Sequence, residues 1–210
     1  MGRLPLSAID TLILAGGRGR RMGGRSKFAL ELPSGVTVLE HIEQVAKGVS
    51  RRVHVVAPKA LHPSLAELVH ASLIDDPQTG PANAIVSGAR AIDAESVFLL
   101  ASDLPGISTE LLRWLEACRG SEEAAIIPVH EGRPQPLVGL YPREVLAAQD
   151  LPPGASVSSL LDRLSWRGVP SDRVPSELVG GLRGFNTWEE AATWGIRRDG
   201  PLAKESEPRE

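Results

Sequence analysis

The chain has 210 residues, of which 42% are hydrophobic and 23% charged, and its formal net charge is −3. This composition is typical of a globular protein of one domain, which we expect at residues 1–196, followed by a polar, aperiodic tail at 197–210 that we interpret as disordered. The slightly acidic balance argues against a nucleic-acid-binding surface, and the single cysteine, Cys118, excludes an internal disulfide framework.

Hydropathy along the chain gives no sign of a membrane protein. No stretch reaches the length of a transmembrane helix, and the first eight residues lack the layout of a signal peptide. We therefore expect a cytoplasmic protein that has neither a membrane nor a nucleic acid as its partner.

Strand and helix periodicities alternate along the chain. In chain order we predict a strand at 9–14, a glycine-rich loop, a helix at 38–49, a strand at 52–57, a helix at 61–71, a strand at 72–74, a helix at 82–92, a strand at 96–101, a helix at 110–119 capped by Ser108, strands at 124–129 and 137–141, irregular segments at 145–149 and 156–164, and a helix at 187–194. This alternation implies an α/β fold with a doubly wound, mostly parallel sheet flanked by helices.

The loop after the first strand is rich in glycine and positive charge. Between Gly16 and Lys27 it contains five glycines and five cationic residues. Glycine lets backbone N–H groups approach a ligand closely, and arginine and lysine bind phosphate oxygens. Because the whole chain is acidic, this local positive charge predicts a bound polyphosphate.

The loop differs from two widespread phosphate-binding motifs. A Walker A loop requires a Gly-Lys pair, but here Ser26 precedes Lys27. A dinucleotide fingerprint requires a third glycine where this chain has Met22, and an acidic residue after the second strand, where this chain has Pro58 and Lys59. The loop therefore represents a third kind of phosphate site.

Two aspartates follow other predicted strands, Asp76 after 72–74 and Asp103 after 96–101. Ligands of such sheets bind at the carboxyl ends of the strands, so both should lie near the loop. Asp103 is the best candidate to hold Mg²⁺ opposite bound phosphates, and a turn residue before Leu104 is the alternative. Asp76 could accept a hydrogen bond from a base or ribose, or could form an ordinary Asp-Pro turn.

Two later motifs carry polar side chains between elements. Gln135 offers an amide to a heterocycle or phosphate, or belongs to a plain hairpin connection. Asn186 and Thr187 precede the last helix, which either of them could cap. The histidines have no ligand-like spacing, and no nucleophile motif for covalent catalysis occurs.

Taken in order, these motifs resemble the molybdenum cofactor guanylyltransferases, which belong to the nucleotidyltransferases with a Rossmann-like fold of the nucleotide-diphospho-sugar transferase type. The resemblance extends from residue 9 to about 195. The matching segments are Leu14-Ala15-Gly16-Gly17, Arg21-Met22-Gly23, Lys27, Gly80-Pro81, Asp103-x-Pro105, Gln135-Pro136-Leu137 and Asn186-Thr187.

The resemblance implies a role for each matched residue. On the nucleotide side, it implies that guanine and ribose are contacted by Leu14, Ala15 and Gly16. It implies that the phosphates are contacted by Gly17, Gly19 and Arg21, and the α-phosphate region by Lys27. It further implies a nucleotide-contacting Asp76, a magnesium ligand at Asp103, and contacts to molybdopterin from Gln135 and Asn186. Arg21, Lys27 and Asp103 would then be the catalytic residues.

The implied reaction is Mg²⁺-dependent transfer of GMP from GTP to molybdopterin with release of pyrophosphate. Molybdenum-inserting or cofactor-accepting proteins are the implied protein partners. The chain departs from the family at Ser26, where aspartate is usual, and at Asn83, within a loop that usually reads Gly-Pro-Leu-Ala-Gly. A cytidylyltransferase of the same pterin, another nucleotidyltransferase, and a non-catalytic GTP-binding regulatory protein are the alternatives.

Overall fold

A computed structural model describes residues 9–16, 22, 26–120 and 124–198, and the statements below concern these residues. The strands are β1 (Ile9–Leu14), β2 (Val53–Ala57), β3 (Ser72–Asp75), β4 (Ser96–Ala101), β5 (Ala125–His130), β6 (Arg133–Pro134), β7 (Val138–Pro142) and β8 (Trp166–Pro170). The α-helices are α1 (Val38–Lys47), α2 (His62–Leu68), α3 (Pro81–Ala91), α4 (Thr109–Ala117), α5 (Arg143–Ala147), α6 (Val157–Leu161) and α7 (Trp188–Ala192), and 3₁₀ turns occupy Lys27–Ala29, Lys59–Leu61, Ser171–Arg173 and Ser176–Leu182.

All eight strands form one mixed sheet in the order β3-β2-β1-β4-β7-β5-β6, with β8 paired to β5. The first four strands are parallel, β7 runs antiparallel between β4 and β5, and β8 is parallel to β5. Because two antiparallel steps restore the direction, β4 and β5 point the same way. The carboxyl ends of β1, β4 and β5 therefore share one edge, and the expected mostly parallel α/β sheet is confirmed.

Helices cover both faces of the sheet. Phe98 and Leu100 of β4 belong to one buried apolar cluster with residues of α1 and α4. Val97 and Leu99 alternate with them and belong to a second cluster with residues of α3, α5 and α6. Side chains at successive strand positions point to opposite faces, so the fully apolar strand predicted at 96–101 is explained by burial on both sides.

Local capping chemistry sets several element ends. Ser108 accepts a hydrogen bond from the Leu111 N–H and begins α4, as predicted. Thr37 and Glu40 form a capping box at α1. The helix expected at 61–71 is shorter, because a 3₁₀ turn with Lys59 precedes it and it ends at Leu68.

The sequence prediction missed two strands of the sheet, the two-residue β6 and the five-residue β8. Strand β8 contains glycine, proline and arginine, and only its Val169 is buried, so no alternation revealed it. Within the described ranges, no helix is both long and apolar enough to cross a bilayer. The domain bounds at 1–196 and the tail stay predictions, and residues 199–210 lie outside the described part.

Candidate active site

The side chain of Lys27 joins three segments that are distant in sequence. Its Nζ donates hydrogen bonds to Asp103 Oδ2 at 2.8 Å, to the Phe185 carbonyl oxygen at 2.5 Å and to Asn186 Oδ1 at 2.9 Å. Side-chain exposure is 19% for Lys27 and 24% for Asp103, so the ion pair is neither closed off nor fully solvated. The expected approach of the loop to Asp103 at the carboxyl edge is therefore what the structure shows, and Asn186 joins them there.

Buried neighbours hold these groups in place. Lys27 begins a 3₁₀ turn whose next two residues, Phe28 and Ala29, are buried in the core. Phe185 is fully buried, so its carbonyl oxygen is a fixed acceptor, and its ring centroid lies 5.6 Å from the Lys27 ammonium. Asp103 is the second residue after the end of β4.

Gly184 lies against Asp103 with no room for a side chain. A Cβ at this position would lie 2.9 Å from Asp103 Oδ1 and 3.0 Å from its carbonyl oxygen. Thr187, by contrast, caps α7 in a capping box with Glu190. The two polar residues before α7 thus divide their tasks: Asn186 faces Lys27, and Thr187 begins the helix.

A second close approach occurs between Gly16 and Asp76. A Cβ on Gly16 would lie 3.0 Å from Asp76 Oδ2. The Asp76 carboxylate also accepts a hydrogen bond from the Gln78 N–H at 2.7 Å, and its own N–H donates to the Ala57 carbonyl at 2.9 Å. Asp76 therefore both forms the turn after β3 and faces the start of the glycine-rich loop, so its two interpretations are compatible.

The start of the glycine-rich loop offers backbone rather than side chains. Leu14 is half-buried at the end of β1, Ala15 is fully buried, and Gly16 is exposed. The Ala15 N–H donates to the Val56 carbonyl oxygen at 2.9 Å, so the exposed backbone at this point is that of Gly16. Three of the residues predicted to contact phosphate, Gly17, Gly19 and Arg21, lie outside the described residues.

The loop around Gly80 packs on the segment 152–155. Gly80 has φ +116°, and a Cβ there would lie 3.0 Å from backbone atoms of Ala155. Asn83 Nδ2 donates to the carbonyl oxygens of Thr79 and Pro152, at 2.9 and 3.0 Å. The family departure at Asn83 therefore has a structural role, because its amide ties the two loops together.

Gln135 lies in the half-buried connection between β6 and β7. Its side chain donates to the Arg133 carbonyl at 3.2 Å, and within the described ranges it makes no hydrogen bond to the Lys27 group. Buried Tyr141 donates to the neighbouring Pro136 carbonyl at 2.7 Å, and burial raises the pKa of its hydroxyl. The connection is thus fixed, but its contact with a ligand stays a prediction.

The polar groups present fit a magnesium ion that is held mainly by its substrate. No cluster of three or more His, Cys, Asp or Glu residues suited to a metal occurs in the described part of the chain. Asp103 supplies one partly exposed carboxylate, whose Oδ1 accepts no hydrogen bond from the described residues. Mg²⁺ in nucleotide sites uses one or two carboxylates together with phosphate oxygens and waters, so this donor set is sufficient.

Sequence reasoning missed the Phe185 carbonyl as a partner of Lys27. A main-chain acceptor has no residue-type signature, and only the burial of the Phe185 ring fixes it here. It also missed the contact of Arg183 with His130, which are 53 residues apart and belong to no motif.

The chain is similar to known proteins over most of its length. Residues 11–165 match the MobA-like NTP transferase domain family. A Bacillus cytotoxicus protein named "Probable molybdenum cofactor guanylyltransferase" is 33% identical over 144 residues, which cover 67% of this chain and 71% of that protein.

Solved structures share the fold. Molybdopterin-guanine dinucleotide biosynthesis protein A from Archaeoglobus fulgidus has a TM-score of 0.70 at 22% identity, covering 88% of this chain and 95% of its own. A Mycobacterium tuberculosis protein solved in complex with manganese has a TM-score of 0.58 at 18% identity, covering 78% of this chain and 88% of its own. The matched residues 11–165 include both Lys27 and Asp103, whose side chains form an ion pair. The match shows that the chain belongs to the MobA-like NTP transferase domain family and is a nucleotidyltransferase.

Proposed function

We propose that this protein transfers GMP from GTP to molybdopterin and releases pyrophosphate. The observation that carries the proposal is the contact of Lys27 with Asp103 and Asn186, which brings three motifs of the molybdenum cofactor guanylyltransferases to one point. The name of the Bacillus cytotoxicus relative supports the same reaction.

The donor nucleotide would lie along the start of the glycine-rich loop. Leu14, Ala15 and Gly16 would line the guanine and ribose, with the exposed backbone of Gly16 nearest to them, and Asp76 would accept hydrogen bonds from the nucleoside. Gly16 and Asp76 approach each other so closely that a side chain at residue 16 would disturb the carboxylate. In this proposal Gly17, Gly19 and Arg21 contact the phosphates.

The chemical problem is to bring two anions together. The terminal phosphate of molybdopterin is already ionised at neutral pH, so one of its oxygens can bond to the α-phosphorus of GTP while the bond to the bridging oxygen of pyrophosphate breaks. Lys27 and Arg21 would stabilise the negative charge that develops on the α-phosphoryl group, and no proton transfer is required.

Lys27 must exchange partners to do this. An ammonium group has three donors, and the three of Lys27 are directed at Asp103, Phe185 and Asn186. A phosphate oxygen would replace the Asn186 amide, which is the most exposed of these acceptors. Asn186 would then be free to bind the acceptor, together with Gln135.

Asp103 would hold a magnesium ion, with substrate phosphates and waters as the remaining ligands. Such an ion supplies positive charge to the leaving pyrophosphate when bound. Asp103 contributes by keeping its carboxylate at the end of β4, between Lys27 and the backbone at Gly184.

A thermal-shift panel of GTP, CTP, ATP and UTP with Mg²⁺ tests the donor, and pyrophosphate release on addition of molybdopterin tests the transfer. We expect a selective GTP shift that is lost in Lys27→Ala and kept in Lys47→Ala, a surface lysine paired with Glu43 on α1. A selective CTP shift would favour the cytidylyl alternative. A GTP shift without pyrophosphate release would favour a non-catalytic GTP-binding protein.

A further inference from the structure

An arginine outside the matched motifs lies at the same edge of the sheet as the proposed active site. Arg183 is exposed over 57% of its side chain, and its Nε donates a hydrogen bond to His130 Nε2 at 3.1 Å. His130 is the last residue of β5. The reaction proposed above gives this pair no task.

The register of the sheet shows how far His130 lies from the backbone near Asp103. Leu140 of β7 pairs with Phe98 of β4 on one side and with Ile126 of β5 on the other. Four residues further along both strands, His130 is level with Ser102, the neighbour of Asp103. Two strand spacings separate β5 from β4, so His130, to which Arg183 is bonded, lies about 10 Å along the sheet from Ser102.

The backbone on both sides of Arg183 is packed against the loop that follows β4. A Cβ on Gly181 would lie 2.9 Å from the Gly106 carbonyl oxygen, and one on Gly184 would lie 2.9 Å from Asp103 Oδ1. The Arg183 N–H donates to the Gly180 carbonyl at 3.1 Å. Arg183 is therefore held on a rigid segment that is tied directly to Asp103.

The guanidinium is oriented by its contact with His130. Since Nε2 of His130 accepts from Arg183, the neutral ring carries its proton on Nδ1, which is buried and has no partner among the described residues.

The fork of Arg183 keeps donors for a ligand. Its second neighbour is Glu131, with 3.7 Å between Arg183 Nη2 and Glu131 Oε1, and 76% of the Glu131 side chain is exposed. A solvated pair at this separation contributes little and can be exchanged for a ligand oxygen. Glu131 and Gly132 both have positive φ, as the two-residue turn between β5 and β6 requires, which keeps His130 in a fixed position.

We propose that Arg183, oriented by His130, binds a hydrogen-bond-accepting oxygen at the end of the acceptor that is remote from its phosphate. The proposal rests on the function proposed above. An acceptor whose phosphate lies at Lys27 and whose body extends along the carboxyl edge toward β5 would bring its far end to Arg183, because β5 lies about 10 Å from β4. The planar fork of arginine suits a pair of ligand oxygens, so Arg183 is a specificity-determining residue for the acceptor and takes no part in GTP binding.

The test measures equilibrium binding of Mg·GTP and of molybdopterin separately, by calorimetry, for the wild type and the variants Arg183→Gln and Arg183→Lys. Arg113→Gln is the matched control, because Arg113 is an exposed arginine on α4 whose guanidinium faces the Gly48 carbonyl at the end of α1. We expect both Arg183 variants to bind Mg·GTP like the wild type and to bind molybdopterin at least about tenfold more weakly, as the loss of a charge-assisted hydrogen bond implies. The control should leave both affinities unchanged.

Molybdenum-free and molybdenum-loaded molybdopterin form the two arms of the experiment. Weaker binding of both forms assigns the contact to the pterin, and weaker binding of the loaded form alone assigns it to an oxygen on the metal. Unchanged acceptor affinity in Arg183→Gln would overturn the proposal while leaving GMP transfer intact. If the wild type itself binds GTP but neither form of molybdopterin, the proposed acceptor fails, and the subsite with it.

Discussion

Two carboxylate–cation pairs lie at opposite ends of the strands of the sheet, one at the amino edge and one at the carboxyl edge. At the amino edge, Arg51 binds both oxygens of Asp10, at 3.0 and 3.1 Å, and Asp10 is only 1% exposed. At the carboxyl edge, Lys27 binds one oxygen of Asp103 at 2.8 Å, and both side chains are partly exposed. The chemistry of the two pairs is alike, but their access to solvent and ligands differs.

Access to solvent and ligands distinguishes the two pairs: Asp10 and Arg51 form a closed pair at the amino edge, and Lys27 and Asp103 form an open pair at the carboxyl edge. The Asp10 oxygens are shared by Arg51 and by His54, whose Nε2 lies 3.4 Å from Oδ2, so neither is free for a ligand. Asp103 keeps an oxygen without a hydrogen-bond donor among the described residues, and an ammonium whose partners can be exchanged. We therefore expect substitutions at the carboxyl edge to change catalysis, and substitutions at the amino edge to change stability.

The largest effect should follow from breaking the open pair. In the proposed reaction, Lys27→Ala and Asp103→Ala would each remove a charge that faces the reacting phosphates, and such losses reduce kcat by roughly 10²–10³-fold. Both side chains are partly exposed, so the fold should persist. Steady-state pyrophosphate release measures the effect, and circular dichroism with thermal melts checks the fold. Near wild-type turnover by either folded variant would show that the pair is not catalytic.

Breaking the closed pair should produce the opposite pattern. Asp10→Asn keeps the size of the side chain but leaves Arg51 without its anion, and Arg51 can regain water because a third of its side chain is exposed. We expect a loss of about 2 kcal/mol in the free energy of unfolding. This corresponds to a decrease of roughly 4–8 °C in Tm for a chain of this size. Turnover at 25 °C should match the wild type, and a loss of activity without a loss of stability would contradict the comparison.

A smaller effect tests how tightly the open pair is positioned. Gly184→Ala places a methyl group 2.9 Å from Asp103 Oδ1, so the carboxylate or the backbone must shift. A displacement of a few tenths of an ångström should reduce kcat by about tenfold. Gly180→Ala is the matched control, because its Cβ would lie 3.5 Å from Trp194, which is ordinary van der Waals contact. Equal rates for the two variants would indicate that the position of Asp103 is not critical.

The open edge could be predicted in outline because strand direction fixes it. Strands β1 and β4 have the predicted bounds, and in a parallel sheet their carboxyl ends must meet. Strand direction therefore predicts that Lys27 and Asp103 lie at one edge, although they are 76 residues apart in sequence.

The individual contacts could not be predicted in the same way. No pattern in the sequence indicated that the Lys27 ammonium bonds directly to the Asp103 carboxylate, and the metal expected at Asp103 stays a prediction. The sequence also lacked any sign of the Phe185 carbonyl, because acceptors of the main chain are common to all residues. The closed pair was equally hidden, since Asp10 lies within an apolar strand and its partner Arg51 belongs to a loop before β2.

The smallest effect concerns the pH response of the closed edge. Burial lowers the pKa of His54, an effect that its hydrogen bond to Asp10 opposes and the nearby charges of Arg51 and Arg52 reinforce. The folded protein therefore binds fewer protons than the unfolded chain as the pH decreases through the ordinary histidine range near about 6.5. The contribution of His54 to stability is complete above this range and is lost as the pH decreases through it.

Comparing the wild type with His54→Asn isolates this response, because other titrating groups contribute equally to both proteins. We expect the free energy of unfolding, from denaturant titrations at pH 7.5 and 5.5, to decrease more on acidification in the wild type than in the variant. The same decrease in both proteins would contradict the assignment. Since the His54 ring faces Asp10 and not Asp103, the two proteins should share one pH profile of kcat while they are folded. A pH response confined to stability would show that the closed edge acts on folding alone, even though its ion pair resembles the one proposed for catalysis.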